Sequence, residues 1–399
     1  MRREALESRR AAFLGLVRVR GTASRGDLAR ETGLDKKTVS AVVEDLLAEG
    51  ILSSAGLRDS TAGRRQELLA LNGAHANCIG VDLGATHIIG LLADLCGRAL
   101  DRVFFAIRPN LPAEIILDQM KSVARSLLAS PKATSPVRSI GICVPGFVNP
   151  RTGTSLVAEN IPGWRDVRLG ELFHAEFGLP VRTDDASRSF GLAEQRMGAG
   201  RGHDNFLALD LGYGIGMAIV VHGRLYEGSG WKSGEIGHVV VDPRGEPCAC
   251  GNRGCLETVA SGRAIARRAA EGIRNGRSEV LSGLTHGNAD SVTAQDVTLA
   301  AGMQDPFAVG LLREAGERIG LAIANAVNLL NPSAVVLGGG LVSSQPTLIE
   351  AIRETLPTHV MPGIRDEMEL LVSGLGVDGS ALGAVIAATD AVLEAAEPS

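Results

Sequence analysis

The narrowest constraint in this chain is the stretch from Gly234 to Glu257, GEIGHVVVDPRGEPCACGNRGCLE. It sets His238, Cys248, Cys250 and Cys255 in an H-x9-C-x-C-x4-C arrangement. One imidazole and three thiolates complete a tetrahedral shell with no position left for water, which is the ligand set of a structural Zn2+. Gly251 and Gly254 let the short segment between the last cysteines turn back on itself. The competing reading is a set of buried or redox thiols. Four soft ligands this close together, in a chain with cytosolic features, favour the metal. Glu235 and Glu257 flank the cluster as poor fifth ligands, and a rigid knuckle would hold both toward a polar ligand such as a sugar.

The 399 residues suffice for two or three domains. Charge is uneven along them. Residues 1–72 hold 13 basic against 10 acidic residues, a balance of +3, which leaves −8 for the remainder of a chain whose total is −5. A basic head on an acidic body suggests that only the head meets a polyanion. The start, MRREALESRR, lacks an apolar signal core, and no apolar run approaches membrane-spanning length. A cytoplasmic protein with no membrane partner is expected. Cys78, Cys96 and Cys143 fall in apolar, strand-like stretches and read as small core residues.

The head reads as three helices and a hairpin. Residues 9–20 form a first helix, and Ser24 caps a second with Asp27 three positions on, as in a capping box. Asp35 caps a third helix that Gly50 closes. Val39, Val42, Val43, Leu46 and Leu47 repeat at helical spacing as its buried face. Lys36, Lys37, Thr38, Ser40 and Ala41 occupy the opposite face near its start, the layout of a helix that reads base edges and phosphates. Two apolar strands, Ile51-Leu52 and Leu68–Leu71, flank a polar tip from Ser53 to Arg65, with Arg64 and Arg65 placed to touch a nucleic-acid backbone.

From Cys78 the texture becomes strand-rich α/β. Strands are expected at 79–83, 87–93, 99–107 and 139–144, with a helix between Pro112 and Pro131. Near Leu207 a strand, an Asp-Leu-Gly turn and a second strand (217–221) repeat the pattern at Asp82-Leu83-Gly84, suggesting two halves of similar plan. Leu312, Ala315, Ile319, Ala322, Ile323, Ala326 and Leu330 stripe one long helix ended by Asn331-Pro332, before a strand at 334–337 and Gly338-Gly339-Gly340.

The sequence E-x-G-H followed by C-x-C-G-x-x-G-C-L-E is similar to the signature of the ROK family, which holds repressors, uncharacterised reading frames and sugar kinases. The stretch SRGDLARETGLDKKTVSAVVEDLLAEGIL resembles the winged helix-turn-helix of the family's NagC/XylR-type regulators. The resemblance implies a winged helix-turn-helix over 1–74. It implies an actin-like (hexokinase/Hsp70-type) two-lobed ROK domain over 75–399, with ligand in the cleft between lobes and the zinc knuckle at 238–255. Sugar binding would use Asn160, Asp184, Asp185, Glu235, His238 and Glu257. Asp185 stands at the position of the family's catalytic aspartate, within a pattern that reads D-D-A-S here instead of N-D-A-N.

A sugar kinase also needs glycine-rich loops whose N–H groups cradle phosphate. The first loop, Asp82–Thr86, has Ala85 where the kinases carry a second glycine. The second, Leu211–Gly216, has Tyr213 where they carry a hydroxyl residue. These departures favour a sugar-responsive transcriptional regulator, a repressor, bound to operator DNA as a homodimer or homotetramer. The alternative is an ATP-dependent sugar kinase with a DNA-binding appendage.

Overall fold

The computed structural model describes residues 2–59, 65–108, 111–158, 161–342 and 346–395. At the N-terminus, helices α1 (Arg2–Arg20), α2 (Arg25–Thr32) and α3 (Lys36–Ala48) accompany a sheet of order β1-β3-β2, with β1 at Ala23–Ser24, β2 at Leu52–Arg58 and β3 at Gln66–Leu71. The local signals act as expected. The Ser24 hydroxyl accepts the Asp27 N–H, and the Asp27 carboxylate accepts the Ser24 N–H at 3.0 Å, so each satisfies a donor that the start of α2 would leave unpaired. Asp35 opens α3 by accepting the N–H groups of Lys37 and Thr38 at 2.9 and 3.0 Å. Helix α1 starts earlier than residue 9, and the hairpin strands run further than expected, with a register shift between Ser54 and Leu57.

The core of this segment does not stop at its C-terminal end. Phe13, Val17, Leu28, Val43 and Leu69 belong to one buried cluster with Cys78, Leu95 and, from the last helix α14 (Gly379–Ala395), Ala388, Val392 and Leu393. Arg18 forms an ion pair with Asp390 of α14.

Two compact units make up the chain: residues 1–144, 149–184 and 384–399 form the first, and residues 145–148 and 185–383 the second. In the first, a five-stranded sheet has the order β11-β7-β4-β5-β6. Its strands are β4 (Asn77–Leu83), β5 (His87–Asp94), β6 (Ala99–Ala106), β7 (Val137–Val144) and β11 (Val181–Asp185). Every residue of β4 is buried because it pairs antiparallel with β5 on one side and parallel with β7 on the other. Helix α4 (Ala113–Leu128) covers β5 so closely that a Cβ on Gly90 would stand 2.4 Å from Val123. Short strands β8 (Phe147–Asn149), β9 (Thr154–Val157) and β10 (Arg165–Val167) and helix α5 (Leu169–Phe177) follow, none of them evident from periodicity.

The second unit has the sheet order β14-β13-β12-β15-β16, from β12 (Phe206–Leu211), β13 (Ile215–Val221), β14 (Arg224–Leu225), β15 (Ala334–Gly338) and β16 (Glu369–Val372). Strand β12 pairs antiparallel with β13 and parallel with β15, so β12–β13 and β4–β5 share one plan, each with an Asp-Leu-Gly turn and a parallel neighbour. Its helices are α6 (Ala186–Met197), α7 (Glu257–Ala260), α8 (Gly262–Arg274), α9 (Glu279–Leu284), α10 (Ala294–Gly302), α11 (Pro306–Leu330), α12 (Pro346–His359) and α13 (Pro362–Arg365). The stripe on α11 is buried from Leu312 to Ile323, but Leu330 is exposed and Val327 takes the core position, because Asn331 ends the helix in the left-handed conformation. Cys78 and Cys143 are buried as expected; Cys96 is exposed, in the turn between β5 and β6.

By length and a mean hydropathy of 1.3, residues Gly376–Ala395 match a membrane span, but 67% of that stretch is buried within the protein. Its apolar surface is thus committed to packing. Gly141 on β7 shows how tightly: a Cβ there would lie 1.8 Å from the Ala384 carbonyl oxygen. Gly141→Ala is expected to push α14 outward and destabilise the protein by about 1–3 kcal/mol, read as a lowered midpoint in thermal or urea unfolding. An unchanged midpoint would contradict that contact.

Candidate functional site

The candidate metal ligands of the second unit converge. One ligand atom from each of His238, Cys248, Cys250 and Cys255 lies within 4.8 Å of all the others. The chain achieves this with two isolated bridges, Val240 to Cys255 and Pro247 to Arg253, that fold 239–255 back on itself. Gly254 is needed at the fold: its φ is +70°, and a Cβ would stand 1.6 Å from the Asp242 carbonyl oxygen. The Cys248 Sγ to His238 Nδ1 distance is 3.6 Å, and Cys250 Sγ to Cys255 Sγ is 3.7 Å. Metal–sulfur bonds of about 2.3 Å and a metal–nitrogen bond of about 2.0 Å give tetrahedron edges of roughly 3.6–3.8 Å, so the four donors fit a closed metal shell. Burial raises the Cys248 and Cys255 thiols above their ordinary range, and only a cation among them would turn them into thiolates.

The knuckle hands its order to neighbouring carboxylates. The second ring nitrogen of His238, Nε2, faces Glu235 Oε2 at 3.8 Å. Glu257 follows Cys255 by two residues and starts α7. Its Oε2 accepts the Ile215 N–H at 3.3 Å, and its Oε1 lies 3.4 Å from an Arg263 nitrogen. Gly214 and Gly237 both back onto this carboxylate, with a Cβ at Gly214 falling 3.1 Å from Oε2. Asp185 caps α6: its Oδ1 accepts the Arg188 N–H at 2.8 Å, and its Oδ2 pairs with Arg188 Nε at 2.9 Å. Arg188 was not singled out from sequence. The available signal was an arginine three residues after an aspartate N-cap, on an otherwise apolar helix face. Asp184 ends the 149–184 segment of the first unit, and Asn160 lies outside the described residues.

A family model, described as the ROK family, matches residues 78–391. The chain belongs to the ROK family. The xylose repressor of Bacillus spizizenii (strain ATCC 23059 / NRRL B-14472 / W23) is 30% identical over 363 residues, covering 90% of this chain and 89% of the repressor. A glucokinase of Halalkalibacterium halodurans is 35% identical over 307 residues, 76% of this chain and 92% of that enzyme. Among solved structures, a ROK family transcriptional regulator described as a homologue of the E. coli MLC protein superposes with a TM-score of 0.81 at 26% identity. That match covers 98% of this chain and 97% of the regulator.

Two backbone donors of the second glycine loop already have partners within the protein. The Gly212 N–H donates to the Gly214 carbonyl at 3.0 Å, and the Ile215 N–H donates to Glu257. The carbonyls of Gly212 and Tyr213 accept from the first residues of α8, Gly262 and Arg263. Tyr213 is partly exposed at the tip. In the first unit, the ring of His87 lies over Gly84, 2.7 Å from where a Cβ would stand, and stacks on Phe104. Asp82 is buried there and accepts the Cys143 thiol at 3.1 Å.

The head residues separate by exposure. Lys36, Lys37 and Ala41 are exposed; Thr38 and Ser40 are half-buried, and the Thr38 hydroxyl donates to Asp35 at 2.7 Å. Arg65 is exposed, 3.3 Å from Asp59; Arg64 lies outside the described residues.

Asp210, at the foot of the second loop, points its carboxylate at Gly339, where a Cβ would meet Oδ1 at 2.4 Å. Burial pushes this carboxyl up to about 6. An acid whose folded pKa is raised favours the folded state while it stays protonated. That advantage is present below the unfolded value of about 3.9 and is lost as pH rises through about 6. Asp210→Asn is therefore expected to raise the melting temperature more at pH 8 than at pH 5. An equal change at both values would show that the carboxyl is not raised.

Proposed function

We infer that this protein is a sugar-responsive, DNA-binding transcriptional repressor whose ROK domain binds a sugar or sugar derivative as effector. The single observation that carries this reading is coverage. The xylose repressor and the MLC-like regulator match 90% and 98% of the chain, more than residues 75–399 alone could supply, whereas the glucokinase spends 92% of its own length on 76% of it. On this reading the first 74 residues are a winged helix-turn-helix, α3 is its recognition helix and the β2–β3 hairpin its wing. Lys36, Lys37 and Arg65 contact phosphates, and Ser40 and Ala41 face base edges. Two heads are needed for a palindromic operator, so the working form is a homodimer or homotetramer.

The effector is held by Asp185, Glu235, His238 and Glu257, all from the second unit. Carboxylates accept hydrogen bonds from sugar hydroxyls, and His238 presents one nitrogen to the ligand and the other to the metal. The donor set supports Zn2+ in the knuckle, bound by His238, Cys248, Cys250 and Cys255. The metal is structural: it fixes the loop and leaves the ligand chemistry to the carboxylates. Purified protein is expected to carry about one zinc per chain, measured by elemental analysis. Cys250→Ser should lose metal and effector binding together, and retained stoichiometric metal in that variant would refute the shell.

The 35% identity to a glucokinase favours a second reading, an active sugar kinase. Two donors weigh against it, since a phosphate drawing on the N–H groups of Gly212 and Ile215 would have to displace Gly214 and Glu257 from them. The deciding experiment pairs calorimetry over a panel of sugars with operator titrations. Bound sugar should change operator affinity by roughly five- to 150-fold, Glu257→Gln should blunt that response, and no ATP should be consumed. Sugar-dependent ATP turnover with an unchanged operator affinity would establish the kinase instead.

A further inference from the structure

Arg188 is an arginine with 2% of its surface exposed on a helix that caps at a candidate effector ligand. Its guanidinium reaches three segments of the second unit that are far apart in sequence. Nε pairs with Asp185 Oδ2 at 2.9 Å, Nη1 donates to the Trp231 carbonyl at 2.7 Å, and Nη2 donates to the Val148 carbonyl at 3.2 Å. Trp231 needs such a hold. Its φ is +56°, in the left-handed region that a tryptophan seldom occupies, and it precedes Glu235 by four residues and His238 by seven. The same loop is secured again where Lys232 Nζ sits 5.1 Å over the Phe147 ring, and where Gly234, at φ +88°, passes the Met217 carbonyl too closely for any Cβ.

We propose that Arg188 is the positioning residue of the effector site: it orients the Asp185 carboxylate and, through the Trp231 carbonyl, sets the loop that delivers Glu235 and His238. This rests on the effector reading above and deepens it. Arg188 directs its guanidinium at protein partners. It acts through Asp185, which a guanidinium and a helix N-terminus together stabilise as the anion. An anion so held is a fixed acceptor for sugar hydroxyls and a poor acceptor of their protons. The D-D-A-S-R stretch therefore suits recognition and works against phosphoryl transfer. A planar fork suits the task, because the three partners sit around the rim of the group on three different nitrogens, and the one nitrogen of a lysine would not reach all three positions.

The test is a double-mutant cycle read by calorimetry with the sugar that wild type binds, on Arg188→Met, Asp185→Asn and the combined variant, with Arg188→Lys alongside. Zinc content and the melting temperature without sugar report the fold. Arg188→Met should weaken sugar binding by about tenfold or more, Arg188→Lys by less, and the combined variant should lose less than the sum of the two single losses, its excess over Asp185→Asn being the share Arg188 exerts through the Trp231 loop. A merely structural arginine would lower the melting temperature and give additive losses of affinity. Additive losses, or wild-type affinity in both Arg188 variants, overturn the proposal. If Arg188→Met does not fold, wild-type affinity in Arg188→Lys overturns it alone. A wild type that binds no sugar in the panel overturns the effector reading itself, and the Arg188 role with it.

Discussion

Convergence of four soft donor atoms inside 4.8 Å is the arrangement on which the polar face of the second unit depends. Three thiols and an imidazole have no reason of their own to gather, since their deprotonated forms repel and their neutral forms bond weakly. The proposed cation would supply the attraction. Once the loop 239–255 is closed, Leu256 falls into the main core of the unit, and Glu257 starts α7 immediately beneath the second glycine loop. His238 ties the other end to Glu235. The carboxylates on this face thus take their positions from the knuckle more than from any regular element of their own.

The destination of backbone donors bears on the proposed choice of recognition over phosphoryl transfer on this scaffold. A glycine loop cradles phosphate only if its N–H groups point outward and unpaired. Here Gly212 and Ile215 spend theirs on Gly214 and on Glu257, and the carboxyl of Asp210 stands at the foot of the same loop. Asp185 is similarly committed, to its own helix and to Arg188. Each of these contacts is small, and together they leave a face rich in acceptors, suited to a polyhydroxylated neutral ligand.

The N-terminal head is continuous with the core behind it. Ala388, Val392 and Leu393 of α14 share a buried cluster with Phe13, Val17 and Leu28, and Arg18 meets Asp390. Helix α14 begins among residues of the second unit, where Gly383 lies against the Ser189 carbonyl, and ends in that cluster of the first. Ser189 is the neighbour of Arg188 on α6.

Much was legible in the residues themselves, because it depends on local chemistry. The capping residues Ser24, Asp27 and Asp35, the apolar stripe of α3, the alternation of strands and helices and the spacing of His238, Cys248, Cys250 and Cys255 act within a few residues of each other. Hydrogen-bond geometry and helix period fix such features before distant segments meet. The family signature followed from the same stretch. Features set by segments remote in sequence needed the fold. Nothing near Arg188 announces the carbonyls of Val148 and Trp231, nothing near Ile215 announces Glu257, and nothing in the first 74 residues announces that their core is completed by residues 388–393. Cys96 looked like a core residue by its neighbours and is exposed because a turn places it there. Periodicity reports which face a side chain prefers; only tertiary packing decides which donor, acceptor or apolar surface it finds there.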